Sequence, residues 1–138
     1  LPRMPRVKEL CFSQTKVSDA GMKELARQVQ ATLLDVSGTR VTGTGLKDLS
    51  GLKSLRAINL SGSLASDEGM EGLLELSALS EVNLANTQIT DSSIDSLGTL
   101  RELKTLNLRQ TRITKNGNDN LVKKLPGCKI EWSMSREK

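Results

Sequence analysis

The stretch Leu103–Thr114 reads LKTLNLRQTRIT, and its pattern recurs along the chain at a fixed step of 24 residues. Counting back from Leu108 in these steps gives only apolar residues, namely Leu84, Leu60, Val36 and Phe12. Counting back from Thr111 gives only hydroxyl residues, namely Thr87, Ser63, Thr39 and Thr15. A period of roughly 20 to 50 residues is typical of a solenoid, in which each unit buries its apolar face against its neighbours. The sequence therefore predicts a stacked repeat architecture.

Each unit combines a short strand with a short helix. Leu10 and Phe12 alternate with polar residues, which indicates a half-buried strand. Apolar residues then recur at helical spacing, at Met22, Leu25 and Val29, and again at Leu46, Leu49 and Leu52. Because a helix separates consecutive strands, we expect the strands to pair in parallel with the helices outside. The helix starts carry a capping hydroxyl, followed in three units by an acid that suits the helix dipole: Ser18, Thr42, Ser66, Thr90 and Thr114, then Asp19, Asp67 and Asp91.

The register divides the chain into one domain, 1–138, with five full repeats at 7–30, 31–54, 55–78, 79–102 and 103–126. Leu1 and Met4 lie 48 residues before Leu49 and Leu52. Residues 1–6 therefore read as the end of a preceding repeat, with more repeats expected upstream; a degenerate terminal repeat is the alternative. Ile130 and Trp132 fall in register with the last strand, which predicts a capping strand within 127–133. In the last repeat, Asn118 stands where the other repeats have an apolar residue.

The hydroxyl row from Thr15 to Thr111 sits where the chain leaves each strand. A hydroxyl there can satisfy backbone groups that the bend leaves unpaired. A catalytic threonine is the alternative, but no residue beside the row supplies a base. The row therefore favours a structural role.

The charges are distributed in bands. Lys and Arg number 10 against 5 Asp and Glu in residues 1–56, 0 against 7 in 57–100, and 10 against 4 in 101–138. A nucleic-acid backbone laid along the array would cross the acidic middle band, where it would be repelled. We therefore expect no nucleic-acid partner. No apolar run approaches the roughly 18 residues of a membrane span, and no membrane partner is expected.

The two cysteines, Cys11 and Cys128, fall five strand spacings apart in the register. At about 4.8 Å per strand they are roughly 24 Å apart, well beyond the ~7 Å limit between Cα atoms for a disulfide. Two free thiols favour a reducing, cytoplasmic compartment only weakly, so the localisation stays open.

The segments LKTLNLRQTRIT, LSEVNLANTQIT and LRAINLSGSLAS, with the Gly-Leu or Gly-Met pairs that follow, resemble leucine-rich repeats. The subtype they resemble is LxxLxLxxTxVTDxGLxxLxxL, related to the cysteine-containing class. The resemblance implies an α/β fold, a right-handed leucine-rich repeat solenoid or horseshoe segment, with the parallel sheet on the concave face and short helices on the convex face. Members of this family are mostly scaffolds that bind other proteins.

By this resemblance, the variable strand positions face the concave side. Our candidate partner-binding residues there are Asp35, Asn59, Glu81, Asn83, Asn107 and Arg109. The face lacks the aromatic anchors that are frequent at interfaces. The central row of Asp35 and the three asparagines has two interpretations: a polar stripe that contacts a partner, or a ladder of amides hydrogen-bonded to one another.

The composition argues against an enzyme. The chain has no His and no Tyr, which excludes a Ser-His-Asp relay, a Cys-His pair and imidazole metal sites. We expect no cofactor, and the acidic helix face around Glu71 and Glu75 reads as solvated. The predicted function is a non-catalytic protein-protein interaction module, monomeric, with membership of a longer chain left open. The alternative is a structural spacer or assembly element that associates through its terminal strand edge.

Overall fold

The computed structural model of the protein describes residues 9–21, 24, 31–42, 44–49, 52–76 and 78–133. Within these ranges six short strands form one parallel sheet in chain order. Every pairing is offset by 24 residues, as in Glu81 opposite Thr105, so the register predicted from the sequence is confirmed. The strands are β1 (Glu9–Cys11), β2 (Leu33–Asp35), β3 (Ala57–Asn59), β4 (Glu81–Asn83), β5 (Thr105–Asn107) and β6 (Lys129–Glu131).

The helices between the strands are mostly 3-10 helices rather than the α-helices that the spacing suggests. The 3-10 segments are Asp19–Gly21, Thr44–Leu49, Asp67–Glu75 and Asp91–Ser93, and the α-helices are α1 (Ile94–Leu97) and α2 (Lys115–Lys124). A 24-residue unit must return to the next strand within a few turns, and the tighter 3-10 helix is the form that short connectors use. The predicted stripe through Met22, Leu25 and Val29 lies outside the described residues, as does the partial repeat 1–6.

The core is a continuous layer between the sheet and the helices. The central residue of each strand from β1 to β5 is buried, and the predicted helical stripe Leu46, Leu49 and Leu52 is at most 1% exposed. The flanking residues of each strand are less buried and lie on the other side of the sheet, which is the concave face. The architecture is therefore an α/β solenoid of stacked 24-residue units, as predicted.

One row of residues just past the strands adopts the left-handed backbone conformation in all five repeats. Glycine occupies it twice, at Gly38 with φ 65° and at Gly62 with φ 67°. The other occupants carry side chains and accept the same strained backbone: Gln14, Asn86 and Gln110, with φ between 57° and 62°. The bend that ends each strand thus imposes one backbone geometry on every unit.

The last strand and its tryptophan lie over the end of the core. Trp132 is half-buried against the core, and its indole N–H donates to the carbonyl of Ile113 at 3.0 Å. Cys11 is exposed and Cys128 is half-buried, and both are free thiols, as expected. Burial raises the pKa of the Cys128 thiol, because the charged thiolate loses more solvation than the neutral thiol.

Candidate functional site

The central row of the concave face is built from the last residue of four consecutive strands. Asp35, Asn59, Asn83 and Asn107 are direct register neighbours. Each side-chain oxygen accepts a hydrogen bond from the backbone N–H two residues later, at 3.0 Å in every case; the donors are Ser37, Ser61, Ala85 and Arg109. These side chains therefore close the bend at the end of each strand.

This geometry determines which way the amides point. Because the oxygen of Asn59, Asn83 and Asn107 is bound to its own backbone, the NH2 group must face the concave side. Among the described residues, no hydrogen bond joins one of these amides to the next. The amide ladder considered from the sequence is therefore not formed, because the backbone turns an N–H towards each oxygen before a neighbouring amide can reach it. What remains is a row of NH2 donors about 4.8 Å apart.

The candidate residues converge on one groove. It has a volume of about 430 Å³ and crosses the concave face from β2 to β6. Five of the six residues predicted from the sequence line it, namely Asp35, Asn59, Glu81, Asn83 and Asn107. Arg109 does not line the groove. Its guanidinium lies 3.3 Å from the carboxylate of Glu131, and Glu131 does line the groove. Glu131 was not among the candidates, although the register places it in the same row as Asn107.

The charged groups that line the groove are all carboxylates. Asp35 accepts from the N–H and hydroxyl of Ser37, and Glu131 is paired with Arg109 and, at 3.8 Å, with Lys129. Glu81 has neither a hydrogen bond nor an ion pair from its side chain to any described residue. Two of the three carboxylates, those of Asp35 and Glu81, therefore have no ion pair with a described residue, and Glu81 alone also lacks a hydrogen bond there.

The hydroxyl row is structural, as expected from the sequence. Thr39, Ser63, Thr87 and Thr111 are at most 5% exposed, and each hydroxyl donates to the backbone carbonyl three residues earlier. For Thr39, Ser63 and Thr111 the same oxygen also accepts from the N–H two residues later. A buried hydroxyl whose proton is already given to a carbonyl is not an available nucleophile.

A second polar row, at the helix starts, was only partly predicted. The carboxylate of Asp67 accepts from the N–H of Thr90 at 2.8 Å and from its hydroxyl at 2.6 Å, and also from the hydroxyl of Ser93. Asp91 binds Thr114 in the same way. These acids therefore connect one repeat to the next, rather than acting only on the dipole of their own helix. Burial opposes ionisation of Asp67, but the hydrogen bonds outweigh it and hold the pKa of Asp67 below its ordinary value.

The capping hydroxyls depend on these acids. Thr90 and Thr114 give their proton to the preceding carboxylate and accept from Ser92 and Gly117 at their own helix start. Ser66 makes no side-chain capping bond, contrary to the expectation from sequence. The position that would supply its carboxylate is occupied by Gly43. At Thr90 and Thr114, by contrast, the carboxylate takes the hydroxyl proton and a lone pair of the same oxygen accepts from the helix N–H.

The described ranges contain neither a metal-binding cluster nor a membrane-spanning helix. No three His, Cys, Asp or Glu side chains come together there in a way that could hold a metal ion. No helix in those ranges has the length and apolar character required to cross a bilayer.

Comparison with known proteins identifies the fold. No family model and no curated sequence matches the chain. A leucine-rich repeat protein of Leptospira interrogans superposes with a TM-score of 0.63 at 23% identity, over 79% of this chain and 27% of its own. An internalin of Listeria monocytogenes superposes with a TM-score of 0.57 at 17% identity, over 94% of this chain and 41% of its own. Actin-binding site 2 of leiomodin-1 gives a TM-score of 0.59 at 14% identity, over 86% and 78%.

The protein therefore has the leucine-rich repeat fold. The chain spans well under half of the length of the bacterial proteins that it resembles. Its assignment to the threonine-containing 24-residue subtype rests on the sequence and stays a prediction.

Proposed function

We propose that the protein is a non-catalytic interaction module that binds a partner protein in the groove of the concave face. The observation that carries this proposal is the convergence of Asp35, Asn59, Glu81, Asn83 and Asn107 on one groove. These side chains stand on consecutive strands of a rigid sheet, so their polar groups are pre-organised before a partner arrives, which reduces the entropy lost on binding. The carboxylates make the groove a poor fit for nucleic acid.

The experiment is affinity capture with the wild-type chain and with the double variant Ala57→Arg, Glu81→Arg. Neither side chain takes part in the hydrogen bonds that close the strand ends, so the fold should survive, which circular dichroism would verify. The matched control is Glu71→Arg, Glu75→Arg, on the exposed surface of the helix Asp67–Glu75. A partner retained by the control and lost by the groove variant would support the proposal. A partner lost only by the control would place the binding surface on the convex face.

The second candidate function is that of a structural spacer or assembly element, which associates through its terminal strand edge. In the described sheet β1 pairs with β2 alone, so one of its edges carries no strand. Sedimentation over a wide concentration range, with Cys11→Pro on this strand as the comparison, would test it. Association that the proline abolishes would favour assembly through this edge, and a monomer at every concentration would rule it out.

A further inference from the structure

We infer that the segment of the partner that occupies the groove is an extended polypeptide in which a basic side chain stands two residues away from an apolar one. This inference rests on the proposed function, since it names the chemistry of the ligand for the same groove. Three features of the groove carry it: the unpaired carboxylate of Glu81, the outward amide donors, and an apolar patch formed by Leu33 and Ala57.

The negative charge of the groove favours a partner segment with positive charge. The carboxylate of Glu131 is paired with Arg109 and Lys129, whereas that of Asp35, although hydrogen-bonded to Ser37, keeps its negative charge on β2 and adds to that of Glu81. Glu81 lies near the middle of the sheet, on β4, without a cation among the described residues. Complementary charge steers association and penalises partners of the wrong sign. A Lys or Arg side chain over β4 fits this site, and an acidic one is repelled.

The amide row selects a backbone that offers acceptors. The NH2 groups of Asn59, Asn83 and Asn107 are spread over two strand spacings, about 9.6 Å, which is roughly the length of three residues of extended chain. A chain crossing the strands along this row offers its carbonyl oxygens to the amides. A folded surface offers fewer free acceptors, because most of its carbonyls already accept a hydrogen bond within its own helices or strands.

The apolar patch and Glu81 are spaced for alternate side chains of such a segment. Leu33 and Ala57 are register neighbours on β2 and β3, and Glu81 follows Ala57 on β4. The centre of the apolar pair is thus one and a half strand spacings, about 7 Å, from Glu81. Side chains two residues apart on one face of an extended chain are separated by roughly 6.6 Å. An apolar residue over the centre of the Leu33–Ala57 pair therefore places the next residue but one beside the carboxylate.

The test uses two fluorescein-labelled octapeptides with alternating side chains, Thr-Leu-Thr-Lys-Thr-Leu-Thr-Lys and the same peptide with Glu in place of Lys. Binding to the full chain is followed by fluorescence anisotropy at low and at physiological salt. We expect the basic peptide to bind and the acidic one not to. Glu81→Gln should weaken binding of the basic peptide by about two- to fivefold, and the control Glu75→Gln, on the convex side, should leave it unchanged.

Asn83→Asp separates the amide donors from the charge. Aspartate keeps the acceptor for the N–H of Ala85, as Asp35 does for Ser37, but it removes the NH2 group and adds a negative charge. If the amides hold the peptide backbone, the basic peptide binds more weakly to this variant in spite of the added charge. Tighter binding would show that charge alone attracts the peptide and would overturn the inference.

Two further outcomes would also overturn it. One is equal binding of both peptides, and the other is a basic peptide that binds equally to wild type and to Glu81→Gln. The proposed function fails separately, when the groove variant Ala57→Arg, Glu81→Arg still captures every protein partner. A partner lost by that variant, together with a basic peptide that does not bind, would keep the groove as the binding site and reject the basic extended segment.

Discussion

The buried hydroxyl of Thr111 offers a direct measure of what the hydroxyl row contributes to stability. Thr111 is 0% exposed, donates to the carbonyl of Leu108 at 2.8 Å and accepts from the N–H of Ile113 at 3.4 Å. Thr111→Val keeps the shape of the side chain but leaves the carbonyl buried without its partner, which costs about 1–3 kcal/mol. The added methyl group recovers roughly 0.8 kcal/mol of apolar burial. The difference is a net loss of roughly 0.2–2 kcal/mol, about 1 kcal/mol at its centre.

Urea denaturation followed by far-UV circular dichroism measures this loss, as a lower midpoint with an unchanged slope. At roughly 3–5 °C per kcal/mol for a chain of this size, a loss of about 1 kcal/mol should lower the melting temperature by about 3–5 °C. Thr111→Ser retains the hydroxyl and should cost less, as Ser63 occupies the same row with the same bonds.

Thr15→Val is the matched control. The Thr15 hydroxyl makes the same two contacts, to Phe12 at 2.6 Å and from Val17 at 3.3 Å, but it is exposed, so water replaces the lost bonds. We expect a loss below about 0.5 kcal/mol. A loss for Thr111→Val no larger than that for Thr15→Val would refute the reasoning from burial.

Three other predictions concern single positions. Asn118→Leu should raise stability by about 1 kcal/mol, seen as a higher urea midpoint, because the buried side-chain oxygen of Asn118 has no partner among the described residues. Gly62→Ala should lower the melting temperature, at a cost of about 1 kcal/mol, because its φ of 67° is strained for alanine although a Cβ has room, its nearest neighbour being 3.8 Å away. Asp67→Asn should cost about 1 kcal/mol at pH 7 after allowance for solvent screening, measured by urea denaturation at pH 7 and pH 3. The pKa of Asp67 is lowered by folding, so its contribution is full above the unfolded value near 3.9 and disappears as the pH falls through the folded value.

Each of these has its own control. Asn120→Leu adds the same side chain at an exposed site of α2, and an equal gain there would show that helix propensity explains Asn118→Leu. Gln110→Gly is the reverse change at another position of the same row, because it replaces a side-chain residue with glycine at a φ of 62°. If the melting temperature fell for both variants, backbone strain at positive φ would not explain the effect of Gly62→Ala. For Asp67→Asn, a deficit that is as large at pH 3 as at pH 7 would argue against the carboxylate as the source.

The regular part of the molecule could be predicted from the sequence because one period controls it. The 24-residue register that joins Leu84 to Leu108 determines which strands pair, which side chains are buried and which face the groove, since each strand residue has only two possible sides. Five of the six candidate residues are found together for this reason. The sixth, Arg109, stands past the end of β5, where the alternation of the strand no longer applies.

What could not be predicted depends on the path of the backbone between the strands. The amide of Asn83 points outward only because the chain bends and turns the N–H of Ala85 towards its oxygen. The contact between Asp67 and Thr90 depends on how far one helix start is displaced from the next, which no local pattern encodes. Likewise, nothing in its residue type marks Gln14 as left-handed, since the neighbouring units impose that conformation.

The carboxylates at the helix starts also bear on how the solenoid comes apart. Asp67 and Asp91 tie repeats 55–78, 79–102 and 103–126 into one block, and Asp19 ties 7–30 to 31–54. Between the two blocks, glycine stands at position 43, which is in register with Asp19, Asp67 and Asp91. The N–H of Ser66 donates instead to the carbonyl of Thr42, at 3.1 Å. In a linear array, cooperativity is set by the coupling between neighbours. Across this junction the helices Thr44–Leu49 and Asp67–Glu75 pack together and β2 pairs with β3, so packing and strand pairing supply there the coupling that a carboxylate reinforces at the other junctions.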